Sequence, residues 1–532
     1  MMKLQINLLW SVLLVTESVV SGARILAVLP NTFYSHFAFA HSILSELGAR
    51  GHEVTVYSTR PAPDPLGNMT HIQVVPGYKE LIDRLMGYDV VRMYLENLFS
   101  GLLLWQVPQV KCEAFLRDEK IQELLHSQKT FDLVISEATR VEESMLVFGH
   151  VFNAPTISLW STGPLPVLNS LTGNSISIAY APDYTTFTFT DKMTFLERVK
   201  NLWATLLSLT FYHLFHLPRQ EEFVKKYLPD LDIPPLEVLA RNVSLTLINS
   251  HPTISYPQPY TPNMIPIGGA HIRQRNATLP QDISQFIDNA PGGVVYFSLG
   301  TLMPFQTLSE HLITTFISVF EKLPYKVLVK ASPEEMPQIP SNVFPTKWIP
   351  QQAVLAHPKC RLFVTHGGLF SQWEALDAGV PVVALPFIGD QFFNARFYEE
   401  LQVGVRIPLE SVTNHSLAAA ILEVMENQRY TDEARRVSQL FRSVPIPPMD
   451  SAIYWIEYVL KHRGAFHLTP ASASLNLHQR ALLDIMLVFS ITAIIAIVFI
   501  YIMCKKCVLL FRKKLPRIEK NAVNSLVSSK NN

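Results

Sequence analysis

The chain has 532 residues, 48% hydrophobic and 17% charged, enough for two or three domains with sizeable cores. Its 44 Lys and Arg balance 44 Asp and Glu, which removes any electrostatic case for nucleic-acid binding. Only four cysteines are present, two of them beside a C-terminal apolar run, so neither a disulfide framework nor a cysteine–histidine zinc spacing is indicated.

Residues Met1 to Ala23 carry Lys3, an apolar core from Ile6 to Val15 and small residues at Ser21-Gly22-Ala23, the pattern of a secretory signal peptide. Arg24 to Leu29 then reads as a strand, Phe37 to Leu47 as a helix stopped by Gly48, and Glu53 to Tyr57 as a second strand. His36 falls at the loop–helix junction just beyond the first strand, where open α/β sheets bind ligands. His41, five residues on, points to a different face and reads as structural. Phe131 to Ser136 is a strand running into Glu137, a carboxylate suited to fix the tautomer of a nearby imidazole, whereas Asp132 reads as a solvated turn residue.

Asn201 to Pro218 is apolar enough to suggest a membrane span. A crossing there would place the two halves of the fold on opposite sides of a bilayer and put His213 and His216 in lipid. A buried or membrane-apposed helix is expected instead, forming with Leu98 to Val107 either an apolar small-molecule pocket or ordinary core. Asp230-Leu231-Asp232 is a formal Asp-x-Asp, but it follows a charged helix with no strand in front and runs into Ile233-Pro234-Pro235, so no metal site is assigned.

From Leu245 a strand leads into a proline-rich passage (Pro252, Pro257, Pro262, Pro266) ending at Gly268-Gly269, an interdomain linker by composition. Gly293 to Leu299 opens a second domain. The 44 residues from Trp348 to Gln391 are the most informative stretch. Leu362 to Thr365 reads as a strand, Thr365-His366-Gly367-Gly368 as a turn, Phe370 to Leu376 as a helix stopped by Gly379, and Val380 to Leu385 as the next buried strand. A glycine pair before a helix start lets backbone approach a ligand and offers free N–H groups with the positive end of the helix dipole, a corner suited to diphosphate. Trp348 can stack on a base, His366 can donate to phosphate, Glu374 can accept from ribose hydroxyls, and Asp390-Gln391 can read sugar hydroxyls.

Pro445, Pro447 and Pro448 break the chain before a helix from Ser451 to Lys461. Ile485 to Met503 is a run of 19 residues without formal charge, about the length of a spanning helix. Lys505, Lys506, Arg512, Lys513, Lys514 and Arg517 follow it, so the positive-inside rule makes the tail cytosolic and everything before it lumenal. Cys504 and Cys507 can be palmitoylated there or remain free thiols. Sequons at Asn68, Asn242, Asn276 and Asn414 are N-glycosylation candidates consistent with that orientation.

In order and spacing, Trp348-Ile349-Pro350-Gln351, Thr365-His366-Gly367-Gly368, Glu374, Gly379, Pro381 and Asp390-Gln391 resemble the signature of the UDP-glycosyltransferases of animal endomembranes. The resemblance extends over nearly the whole chain. It implies an α/β fold of the GT-B type: two facing Rossmann-like domains and a single C-terminal transmembrane helix. The implied divisions are a signal peptide (1–23), an acceptor-binding domain (24–270), a linker (271–290), a UDP-sugar domain (291–445), crossover helices (446–481), a membrane helix (482–504) and a cytosolic tail (505–532).

The family places its catalytic base at the Ser-His step, here His36, with Glu137 where Asp is usual. Donor contacts carry over to Ser298, Gly300, Thr301, Trp348, Gln351, His366, Gly367, Gly368, Glu374, Asp390 and Gln391. Two further departures are Phe370, where vertebrate members usually have Asn and insect-type members a hydrophobic residue, and Asn249, where vertebrate relatives often have Arg. These imply an insect-type, inverting, metal-independent transfer from a UDP-sugar, UDP-glucose favoured, to a hydroxyl of a small lipophilic acceptor. UDP-glucuronate as donor, or a non-catalytic nucleotide-sugar or lipophile binder, are the alternatives. No cofactor beyond the UDP-sugar co-substrate is implied, a homo- or hetero-oligomer is left open, and endoplasmic reticulum membrane is expected although the C-terminal Lys530 lacks a second basic residue for retrieval.

Overall fold

The computed structural model describes residues 22–31, 33–61, 68–75, 105–137, 142–273, 277–301 and 303–528. The signal-peptide stretch before residue 22, Leu98 to Leu104 and the sequon at Asn276 lie outside them; Asn68, Asn242 and Asn414 are exposed. The chain forms two compact units, Met1–Ala473 and Ser474–Asn532.

The first unit holds two wholly parallel sheets. The first has seven strands, β1 (Arg24–Leu29), β2 (Glu53–Ser58), β3 (Met69–Gln73), β4 (Leu133–Glu137), β5 (Thr156–Trp160), β6 (Leu245–Ile248) and β7 (Met264–Pro266), in the order 3-2-1-4-5-6-7. The second has six, β8 (Val294–Ser298), β9 (Lys326–Lys330), β10 (Val343–Thr346), β11 (Cys360–Thr365), β12 (Val382–Ala384) and β13 (Gly404–Arg406), in the order 10-9-8-11-12-13. Parallel sheets are covered on both faces, so their strands read as continuous apolar runs; β4, β5 and β8 are buried at every residue.

Each sheet reverses its strand order once, between β1 and β4 in the first and between β8 and β11 in the second. Such a switch point opens a crevice beyond the strand C-termini, because the flanking connections leave toward opposite faces. His36 follows β1 and Glu137 ends β4, while Ser298 ends β8 and His366 follows β11. The topology therefore puts all four residues at the two crevices.

Helix α1 (Tyr34–Ala49) is longer than the pattern suggested: Gly48 sits inside it and His36 in its first turn, not ahead of it. Helix α2 (Phe195–Phe211) falls in the Asn201–Pro218 region and is amphipathic in the inverse sense. Asn201 and Thr205 are buried, while Phe195, Leu196, Trp203 and Leu207 are exposed. The buried Asn201 accounts for this, accepting from the Asp183 N–H at 2.8 Å and donating to the Ile178 and Ala181 carbonyls at 2.8 and 3.0 Å. A π-helical turn, Tyr212–His216, follows. There His216 is packed, as expected, lying 3.3 Å from the Glu143 carboxylate.

Within the presumed linker, Gln281–Asp288 is helix α3, and its Ile283 and Ile287 join the core of the second sheet. Helices α4 (Leu369–Ala378) and α5 (Gln391–Glu400) follow β11 and β12, and Gly379 ends α4 in the left-handed conformation. Helix α6 (Pro448–His462) buries Ala452, Ile453, Ile456 and Val459 in the same cluster as Ile25, Phe39 and Ile43, so the chain's late helix packs on its first strand and helix. Cys112 and Cys360 are buried free thiols, one beneath each sheet, and burial pushes the Cys360 thiol up to about 12.

In the second unit, helix α7 runs from Leu483 to Ser528, and Leu483–Arg512 is long and apolar enough to cross a membrane.

Candidate active site

The two crevices open on one cavity of about 1020 Å³. It is lined by His36, Gly300, Thr301, Trp348, Gln351, His366, Gly368, Glu374, Asp390 and Gln391, ten of the thirteen residues the sequence singled out. Glu137, Ser298 and Gly367 stand behind this lining.

On the side of the first sheet, His36 Nδ1 lies 3.2 Å from Glu137 Oε1, and that carboxylate is fully buried. Asn31, a residue the sequence reading missed, joins this pair. Its amide donates to Glu137 Oε1 at 3.2 Å and sits 2.9 Å from His36 Nδ1, while its carbonyl oxygen accepts from the Phe33 N–H at 3.1 Å. Ser161 Oγ donates to the same carboxylate oxygen at 3.3 Å. The only signal for Asn31 was its place at the end of β1. With Nδ1 turned to Glu137, Nε2 is the ring nitrogen left for chemistry in the cavity.

On the side of the second sheet, three glycines surround His366. A Cβ at Gly300 would lie 2.6 Å from the imidazole and one at Gly368 2.5 Å from it; Gly300 and Gly367 also hold positive φ, +80° and +82°. The glycines thus admit the buried ring into the corner, besides opening the corner to a ligand. Burial, reinforced by Lys330, depresses the His366 pKa to about 4, so its ring is neutral and has one N–H to donate. Gly368 is the N-cap of α4, and no side chain caps the helix start. Its unpaired N–H groups remain available to an anion.

Glu374 is held by amides: Gln351 Nε2 donates to its Oε2 at 2.5 Å and Gln352 Nε2 to its Oε1 at 3.0 Å. Burial raises its pKa, and the two amides and Lys330 partly offset the shift. Gln352 and His271, whose Nε2 stands 3.6 Å from Glu374, were not foreseen. Trp348 is 58% exposed, with Tyr34 against it edge-on at 5.6 Å, so its face is open to stacking. Gln391 accepts the Phe387 and Ile388 N–H groups through Oε1, both at 3.1 Å, which leaves its amide NH2 to offer. Asp390 accepts from Asn394 Nδ2 at 3.0 Å.

Lys330 also lines the cavity, its ammonium 5.9 Å from the Trp348 ring centre. It is the last residue of β9, and nothing in the sequence singled it out. Asn249 does not face the cavity as a substitute for a cation: it is fully buried, accepts from Trp373 Nε1 and donates to the Ser161 carbonyl, both at 2.9 Å. Phe370 packs on His36, Phe39 and His271, with ring centres 5.8, 5.6 and 5.1 Å apart. It forms an apolar wall beside the base in place of a polar phosphate contact. Of the pocket or core expected from Leu98–Val107 and Asn201–Pro218, Leu98–Leu104 lie outside the described residues, Val107 reaches this cavity, and 201–218 does not line it: Leu209, Tyr212 and Leu217 join the core of the first sheet while Trp203 and Leu207 face outward. His41, read as structural, also lines the cavity, packed on Phe37.

Comparison with known proteins bears on the family and the fold. The chain is 34% identical over 498 residues to UDP-glycosyltransferase UGT4 of Dactylopius coccus, covering 91% of this chain and 95% of that one. It is 28% identical to mouse UDP-glucuronosyltransferase 2A3, over 88% and 89% of the two chains. Among solved structures, glycosyltransferase VinC in complex with DTDP shares the fold, with a TM-score of 0.55 at 17% identity over 82% of this chain and 100% of that one. The model of the family described as "UDP-glucoronosyl and UDP-glucosyl transferase" matches residues 79–521. The protein belongs to that family and is a UDP-glycosyltransferase.

Proposed function

We propose that the protein transfers glucose from UDP-glucose, with inversion and without a metal ion, to a hydroxyl of a small lipophilic acceptor, giving a β-glucoside. The observation that carries this reading is that His36 and the donor-binding residues face one cavity from opposite sheets. His36 Nε2 takes the acceptor proton as the hydroxyl oxygen attacks the anomeric carbon. Glu137, held by Asn31 and Ser161, stabilises the imidazolium that forms. UDP leaves from the opposite face, uracil stacked on Trp348 and ribose on Glu374 and Gln351. Its growing charge meets the N–H groups at the start of α4, the His366 N–H and the Lys330 ammonium, so the step calls for no metal.

Glucose fits the sugar corner better than glucuronate. Asp390 would repel a second carboxylate there, and of the two Lys or Arg side chains that line the cavity among the described residues, Arg273 is paired with Glu46 and Lys330 is assigned to the diphosphate. The acceptor enters beside the apolar wall of Phe33, Phe370 and Val107. The enzyme is placed in the endoplasmic reticulum membrane with both sheets lumenal; protease protection of the 22–473 region in sealed microsomes tests that orientation.

The deciding experiment is transfer to a panel of phenols and alcohols with UDP-glucose and UDP-glucuronate in parallel, EDTA present, and His36→Ala as control. Glucoside formation that falls by about 10²- to 10⁴-fold in the variant is expected. Product only with UDP-glucuronate, or undiminished transfer by the variant, overturns the donor or the base assignment respectively.

A further inference from the structure

A second cavity, about 90 Å³, lies behind the donor corner. It shares Leu369 and Asp390 with the large cavity and is otherwise lined by different residues. Tyr256 stands edge-on to Phe393 and Phe397, with ring centres 5.4 and 5.1 Å apart, and Tyr184 stands 5.6 Å from Phe393. Into this aromatic box faces Gln372, only 2% exposed, whose Oε1 finds no hydrogen-bond partner among the described residues. Ser177 Oγ, on the facing loop, is likewise buried without a partner. A buried acceptor left unsatisfied is costly, and two of them on the walls of one cavity call for a donor from outside the chain.

We infer that this cavity is a second ligand site, separate from the catalytic chamber, for a flat lipophile of one or two rings carrying an N–H or O–H donor for Gln372. Its walls are also the back of the donor corner. Asn394, which lines it, donates to the Gly367 carbonyl at 2.9 Å and to Asp390, and Gln372 lies in the first turn of α4 beside Ser371, which accepts from Gln351 at 3.0 Å. An occupant therefore bears on the donor-binding residues without touching the donor and acts as an effector of donor affinity. That effect rests on the donor site proposed above; binding in the cavity does not.

The test uses the full chain in lipid nanodiscs with indole as the probe, since indole has a ring N–H but no hydroxyl to accept sugar, and with 1-methylindole as its donor-less control. Indole is expected to bind at least about tenfold more tightly than 1-methylindole, and Gln372→Leu to abolish that preference while still binding UDP. Indole should also shift the UDP dissociation constant by about fivefold, to a plateau, as reciprocal coupling requires. Ser177→Leu, which fills the cavity from the other side, should remove indole binding and replaces the first variant if that one does not fold. A UDP shift that grows without limit as indole is added would mean competition in the large cavity and overturns the inference. So does equal binding of the two indoles, or unchanged indole binding in both variants. Failure of wild type to bind UDP, with indole binding intact, overturns the proposed donor site and not this one.

Discussion

At the residue scale, Lys330 is the group whose role the fold alone makes visible. In the transfer proposed above, with no arginine at position 249, the departing diphosphate calls for another cation, and Lys330 is the lysine that lines the cavity among the described residues, with burial lowering its pKa. Lys330→Met should raise the KM for the UDP-sugar by about 10- to 100-fold, the loss of one charge-assisted contact. Steady-state kinetics at varied donor concentration check this, and a KM left within twofold would remove Lys330 from the diphosphate site. His36 and its partner belong to the same scale. His36 was singled out by the strand before it and by the resemblance at its Ser-His step, but Asn31 was not, because an amide's contacts depend on which carboxylate lies across the sheet.

At the scale of elements, the strand–turn–helix corner from β11 to α4 shows why small residues recur around one ring. Gly300 and Gly368 come from different βα turns and both vacate the space that His366 fills. Gly368→Ala would set a methyl 2.5 Å from the His366 imidazole, so the ring must shift. It should cost about 1–3 kcal/mol of stability by overpacking and weaken UDP binding as His366 is displaced. Chemical denaturation and a UDP titration read the two effects separately, and a variant with unchanged UDP affinity would show that the His366 position does not matter to the donor. The same scale explains α2. Its apolar sequence suggested a pocket wall or ordinary core, yet the polar Asn201 and Thr205 lie on the buried side, where Asn201 satisfies backbone groups of the 178–183 loop. Hydrophobic periodicity identifies an amphipathic helix, but here the polar anchor decided which side faces the protein.

At the scale of the whole molecule, burial leaves a set of histidines neutral. The pKa values of His41, His251, His271 and His366 are each lowered from 6.5 to about 4, in every case chiefly by burial. A group whose folded-state pKa is depressed contributes stability that is present above its unfolded pKa and lost as pH falls toward the folded one. The 22–473 unit should therefore lose stability steadily between about pH 6.5 and pH 4, with proton uptake on unfolding across that window. Thermal melts at half-unit pH steps measure it, and a melting temperature flat down to pH 4.5 would contradict the burial of these rings.

What the sequence by itself determined was carried by local pattern: strands of both sheets, the Gly-Gly helix start, the apolar C-terminal segment and ten of the residues that line the large cavity. Those features depend on neighbours within a few turns of chain, so periodicity and motif spacing suffice to read them. The tertiary structure decided the rest, because it is a matter of what meets across long separations. It brought Asn31 and Ser161 to Glu137, Lys330 to Trp348, and the turn after β8 to His366. It also faced Gln372 and Ser177 across a second cavity, joining chain segments 195 residues apart whose encounter no local pattern records.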